Sequence, residues 1–337
     1  MEKVEKAVLL LNVGTPDEPT TKAVRPYLSQ FLNDPRVIDL PWLARKILVN
    51  LIIVPFRSPK SAKLYQQLWT KNGSPLIFHG KNLRDRLQEK LGSGHKVILA
   101  MRYGNPSIAQ AIQEIKISGI QEVIAVPLYP QFAMSTTETS VEEVKKQLKK
   151  QKCSAELKVV SEFYANPRFL NAFANQIGKY GIDNYEHVVF SYHGLPNRHV
   201  EKIHPQQKTD TCTCTDQFPE HGRQCYKAQC YETSRQLAAR LKLEREQYTV
   251  AFQSRLSNNW LQPFTDQTLE KLQESGVKKI LLTAPSFVAD CLETTVELGI
   301  EYRESFEKSP SNKLQMVESL NSNNDWVEVL TELVKGV

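Results

Sequence analysis

The sequence predicts an α/β protein made of two similar, doubly wound parallel-sheet domains, and three observations carry that prediction. Short β-rich apolar runs alternate with segments of helical period along the chain. Those runs are apolar at nearly every residue, as strands covered on both faces must be. A strand–helix–strand stretch in the first half is also echoed in the second.

In order, the expected strands are AVLLLNV, KVILAMRY, EVIAVPLY, LKVVSEF, HVVFSYH, YTVAFQS and KILLTAPSF. The helical patterns between them include SIAQAIQEIKISG, SVEEVKKQLKKQ, NPRFLNAFANQIGKYG and DQTLEKLQESG, several of which stop at glycine as helix C-termini often do. The echo runs from AMRY through a helix to SGIQEVIAVPLYP, and again from FQSR through a helix to SGVKKILLTAPSF. It pairs Arg102 with Arg255 and Gly119 with Gly276. The domains are expected at 1–165 and 166–337, the second carrying a cysteine-rich insertion at about 200–230. The last helix is expected to pack back on the first domain.

Composition narrows the function. With 337 residues, 41% of them hydrophobic, and a mean hydropathy of −0.41, the chain is an ordinary globular protein with a substantial core. MEKVEKAVLLLNVGTP runs into a short apolar strand without a small-residue cleavage site, so a reducing, cytoplasmic compartment is expected. The apolar run from Trp42 to Phe56 is broken by Arg45 and Lys46 and is shorter than the ~20 residues a membrane crossing needs. A net charge of +6, dispersed along the chain, argues against nucleic acid and would help the protein rest near anionic lipid.

Ligands of parallel α/β sheets bind beyond the carboxyl ends of the strands. Six such ends here carry polar or aromatic groups, among them Arg102-Tyr103, Ser191-Tyr192-His193-Gly194 and Gln253-Ser254-Arg255. His193 ends a strand, where an imidazole titrating near neutrality can take a proton from a substrate. Glu293 and Glu297 lie four residues apart in a helical pattern after KILLTAPSF, with Asp290 and Cys291 just before them. A solvated acidic face would account for the pair. At a strand end, however, a line of carboxylates can hold a divalent cation or accept protons at graded pKa.

TDTCTCTDQFPEHGRQCYKAQC holds Cys212, Cys214, Cys225 and Cys230, four of the six cysteines, in a polar stretch. In a reducing compartment clustered thiols read as metal ligands rather than disulfides. The spacing C-x-C-x10-C-x4-C is no standard finger or plant-type ferredoxin pattern, yet four thiolates suffice for tetrahedral zinc or a 2Fe-2S cluster. His204 and His221 are nearby spare ligands.

SYHGLP, DCLETTVEL, MRYGNP, PLYPQF followed by STTETS, YLSQFLNDPRVI and NGSPL together resemble the ferrochelatase family, which inserts ferrous iron into a porphyrin in haem synthesis. The resemblance runs from about residue 6 to 336, with the motifs in order. It implies flavodoxin-like, chelatase-type domains with a porphyrin cleft, His193 and Glu293 as catalytic groups touching the substrate iron, and Glu297 extending the acidic row. Arg102, Tyr103 and Ser135 match positions near the macrocycle, Arg57 one near its propionates, and Trp260 an aromatic wall. Val13 stands where other members place Tyr or Met beneath the metal, and Cys291 where animal members have His. The Trp42–Phe56 run matches the family's apolar lip, which implies peripheral membrane contact; a buried helix is the alternative. Several bacterial members hold a 2Fe-2S cluster through an internal cysteine segment, which favours iron–sulfur over zinc at the four cysteines. Either protoporphyrin IX or coproporphyrin III fits as substrate. A non-catalytic porphyrin or haem carrier and a related small chelatase using cobalt are the competing readings.

Overall fold

The computed structural model describes residues 5–204 and 206–337. The chain divides into two compact units, each built on its own four-stranded parallel sheet. One comprises residues up to Tyr129, Ala133–Glu162 and the segment from Ser322 onward; the other comprises Pro130–Phe132 and Phe163–Asn321.

In the first unit β1 (Lys6–Asn12), β2 (His95–Met101), β3 (Glu122–Pro127) and β4 (Glu156–Val159) lie in the order β2-β1-β3-β4. In the second, β5 (His187–His193), β6 (Tyr248–Gln253), β7 (Lys279–Thr283) and β8 (Lys313–Met316) repeat that order as β6-β5-β7-β8. Seven strands coincide with the apolar runs of the sequence. β8, KLQM, was not anticipated, because an edge strand needs only one apolar face and its single buried residue, Leu314, makes no run.

The sequence echo is a repeated structural device. Met101 at the end of β2 donates its amide to Pro106 O at 2.7 Å, and Phe252 in β6 donates to Pro263 O at 2.8 Å. Gly119 and Gly276 follow the helices Ile108–Ile117 and Thr265–Glu274 with φ of +65° and +93°, a backbone that a side chain would strain.

Strand periodicity turns Ala7, Leu9 and Leu11 of β1 to one face, where they meet Ile108, Ile112 and Ile115. In the second unit Val189, Ala251, Ile280 and Leu282 meet Leu269, Leu298 and Phe306. Each fully buried aliphatic side chain contributes ~1.5–3 kcal/mol, so these faces hold the sheets that aim the loops. The helix Pro167–Gly178 starts cleanly because Asn166 Oδ1 accepts from Arg168 and Phe169 N, with proline at its first position. The closing helix Asn324–Lys335 packs on Pro75–Leu91 in the first unit, where Arg86 binds Ser322 O and Asn324 Oδ1.

Three stretches that read as ordinary helix are π-helical: Leu48–Ile53, Met134–Glu138 and Glu293–Tyr302. Such i→i+5 turns are rare and concentrate at functional sites. All three fall in stretches singled out from the sequence: the Trp42–Phe56 run, Ser135, and the pair Glu293 and Glu297.

Candidate active site and thiol pocket

β5 delivers His193 to the carboxyl edge of the second sheet, paired in register with Gln253 of β6. The ring is half-buried. Its Nδ1 lies 2.6 Å from Gly194 O, a carbonyl that can only accept, so Nδ1 carries a proton and, in the neutral ring, the lone pair is on Nε2. Gly194 is required there: a Cβ would stand 2.7 Å from Gln253 O and 3.3 Å from Cε3 of Trp260. Trp260 bridges to Pro196, so the expected aromatic wall packs directly over the loop that follows the histidine.

The π-helix Glu293–Tyr302 brings both glutamates to the same edge. Glu297 Oε1 accepts from Ser254 N at 2.9 Å and from Tyr302 Oη at 3.0 Å, and its other oxygen accepts from Ser254 Oγ. Ser254 holds φ of +62°, unusual for a residue with a side chain, and this conformation aims both of its donors at one carboxylate. Burial pushes the Glu297 carboxyl up, further than Ser254, the His193 imidazole and Tyr302 bring it down, and the charge of Glu293 adds to the rise. His193, Glu293 and Glu297 therefore share one electrostatic site. Asp290 does not join the row: it accepts from Asn321 Nδ2, Ser319 N and Thr294 Oγ1 and braces the start of the π-helix. Cys291 is buried beside Glu293, and burial with that charge holds its thiol well above the usual range.

In the first unit Arg102 gives its guanidinium to the buried carboxylate of Asp34 and to Thr139. Tyr103 is fully buried, with its hydroxyl 3.0 Å from the same carboxylate. Burial alone would raise Asp34, but Thr139, the Arg36 amide, Arg102 and Tyr103 together bring it below the usual carboxylate range. Ser135 lies in the π-helix Met134–Glu138, half-buried, and Arg57 is exposed one residue from Phe56. The Trp42–Phe56 run is not a buried helix. Trp42, Leu43, Ile47, Leu51, Ile52 and Phe56 are 47–74% exposed, while Arg45 turns inward to Leu40 O. Among the described residues no helix is long and apolar enough to cross a membrane.

The insertion folds its four cysteines inward. Cys212, Cys214, Cys225 and Cys230 are buried free thiols, and Cys214 interacts with Cys212, Cys225 and Cys230. Cys225 stands at the N-cap position of the helix Tyr226–Leu241, where the backbone amides of Ala228 and Lys227 temper the rise that burial imposes on its thiol. Burial pushes the Cys225 thiol up to about 11 and drives Cys214 and Cys230 higher still. Lys227, itself buried, offers the compensating positive charge and is held by Thr209 O at 2.6 Å. Ligand atoms of His204, His221 and Cys225 lie within 4.8 Å of one another, a group able to hold a metal ion. His221 Nε2 is 3.3 Å from Cys212 Sγ. His204 donates Nδ1–H to Gln207 O, which leaves its buried Nε2 without a hydrogen-bond partner.

The model of the family described as Ferrochelatase matches residues 5–336. The chain belongs to the ferrochelatase family. It is 42% identical to the ferrochelatase of Legionella pneumophila strain Lens over 98% of this chain and 99% of that one. It is 41% identical to the ferrochelatase of Coxiella burnetii strain RSA 493 over 97% and 92%. Among solved structures, SirB from Bacillus subtilis with Fe3+ aligns at a TM-score of 0.53 and 10% identity, covering 98% of this chain and 94% of that one, a likeness of fold. The α/β, chelatase-like architecture read from the sequence is thus the observed one.

Within this ferrochelatase-family chain, sequence reasoning missed Tyr302, Asp34 and Lys227, and named Ser254 only as part of the polar end of β6. The others become visible only when the fold brings residues such as Asp34 and Thr139 together.

Proposed function

We propose that this protein inserts ferrous iron into a porphyrin, with His193, Glu293 and Glu297 moving the displaced protons. Family membership supports the reaction, and the observation that carries the residue assignment is the His193 ring: Nδ1 is tied to Gly194 O and Nε2 is free, in the field of the buried Glu297. Metallation forms iron–nitrogen bonds as two pyrrole N–H protons leave the macrocycle. The Nε2 lone pair takes a pyrrole proton. Glu297, raised by burial, accepts protons more readily than an exposed carboxylate, and half-exposed Glu293 passes them toward water or meets the iron. A flat ring must pucker to expose its lone pairs, so walls such as Trp260 that favour a bent macrocycle lower the barrier. Arg102, Tyr103, Ser135 and Arg57 are assigned to the macrocycle and its propionates; Arg102 is prepared for this by Asp34, which holds it in one orientation. Free-porphyrin fluorescence tests the proposal. Emission that falls on adding zinc or anaerobic ferrous iron supports it, and emission indifferent to metal favours a porphyrin carrier.

The raised Glu297 has a stability consequence with a definite sign. A carboxyl higher in the folded than in the unfolded state favours folding while protonated and loses that contribution as pH rises through its folded value. Glu297→Gln is therefore expected to raise Tm at neutral pH and to leave it near native at about pH 4, while metallation slows. A Tm difference independent of pH would contradict this.

The four cysteines are assigned to a 2Fe-2S cluster, with zinc as the alternative occupant. The donor set fits: four buried thiols, a helix amide turn and the Lys227 ammonium offset the negative charge that thiolates bring. When bound, such a centre supplies a one-electron couple and a cross-link for a loop with little core of its own.

The exposed apolar row supports peripheral contact with a membrane. Native protein is expected to float with anionic vesicles, and the pair Leu51→Glu, Phe56→Glu to remain in the soluble fraction. Equal flotation of both would defeat the idea.

A further inference from the structure

We infer that Tyr226 is a positioning residue for His193 and that it ties the thiol pocket of the insertion to the metallation site. The inference rests on the proposed roles of His193 and of the thiols. Tyr226 opens its helix immediately after Cys225 and four residues before Cys230. Its hydroxyl donates to His193 O at 2.9 Å. The Tyr226 and Cys230 side chains also interact electrostatically.

The carbonyl it meets is a sensitive one. His193 is the last residue of β5, and the peptide linking it to Gly194 is held from several sides. Gly194 N donates to Gln253 O at 2.8 Å, and Gly194 O, one peptide further on, receives the imidazole's own Nδ1–H. Tilting the His193 carbonyl shifts Gly194 and with it the acceptor that aims the ring. A second hydroxyl fixes the same helix to the same strand, since Tyr192 Oη and Ser234 Oγ are 2.8 Å apart. A metal centre held by Cys225 and Cys230 would set the geometry of the first helical turn. Tyr226 would carry that setting to the base, and loss of the metal would loosen it.

Tyr226→Phe keeps the ring and removes the link. Steady-state metallation is measured from about pH 6 to 9, with iron, zinc, sulfide and Tm determined on the same samples. The variant is expected to lose about fivefold in kcat, with porphyrin KM and metal content unchanged and the pH profile of kcat displaced. Stripping the metal with a chelator is expected to lower native kcat by a similar factor and to leave the variant where it was. Tyr231→Phe, on the same helix, serves as the control and is expected to behave as native. A variant kcat within twofold of native overturns the inference, as does a loss that tracks unfolding or KM, or an equal response of both proteins to stripping. If the purified protein holds no metal, the thiol assignment fails and transmission from the pocket fails with it. The kcat and pH arms then decide the positioning role alone.

Discussion

His193→Asn is expected to lower kcat for metallation by about 10²–10⁴-fold, the range general base catalysis contributes, while porphyrin binding and Tm stay close to native. Asparagine is the informative replacement because its side-chain amide can still donate to Gly194 O, the partner that Nδ1 holds at 2.6 Å in the native protein. The loop and its contact with Trp260 are thereby retained. What disappears is the Nε2 lone pair. The expected loss is confined to the chemical step, so KM for porphyrin moves little, and added imidazole restores part of the rate. Porphyrin binding is followed by quenching of emission without metal, and turnover by its metal-dependent decay. A kcat within tenfold of native would remove His193 as the base and shift that role to Glu297, whose carboxyl already sits above its usual range through burial.

The sheets were legible because six of their strands are buried along most of their length and are written as apolar runs, as in Val188-Val189-Phe190 of β5, while β4, with no fully buried residue, was found from its alternation with the helices. β8 escaped because only Leu314 and the partly buried Met316 face a core, two alternate residues that make no apolar run. His193 was legible for a geometric reason: the end of a parallel strand is a fixed address in this class of fold. Glu293 and Glu297 were legible as a pair, but their setting was not. A spacing of four residues suits an ordinary helix as well as the wider π-helical turn that the chain adopts, in which Glu297 accepts from Tyr302 of the same turn and from Ser254, forty-three positions away. Asp290 was over-read for the opposite reason: adjacency in sequence placed it in the acidic row, whereas Asn321, thirty-one positions on, claims it. The Trp42–Phe56 run could have been core or surface by composition alone. Its exposure follows from Arg45 and Asn50 turning inward, the latter accepting from Ser29 and Asn33.

Replacing Cys225 and Cys230 together by alanine is expected to empty the insertion of metal and to open residues 206–224 to proteases, leaving both sheets folded. Native protein purified without oxygen is expected to show bands between ~400 and ~550 nm with about two irons and two sulfides per chain. Zinc without sulfide would identify the other occupant. The two positions are chosen because they join the pocket to regular structure, Cys225 as the cap and Cys230 within the first turns of the helix Tyr226–Leu241. The remaining thiols, Cys212 and Cys214, stand on a short 3-10 turn with no helix of their own. Binding free energies of about 10–16 kcal/mol for structural zinc on thiolate and imidazole ligands compare with about 5–15 kcal/mol for a whole domain. Losing such a centre is therefore decisive for a polar segment and tolerable for the sheets, whose cores are buried elsewhere. Raised thiols sharpen the contrast: without metal the pocket would hold neutral S–H groups, weak hydrogen-bond partners that cannot order the loop. Full metal content in the double variant would exclude Cys225 and Cys230 as required ligands and move the centre to Cys212, Cys214, His204 and His221, four groups that could still close a tetrahedron.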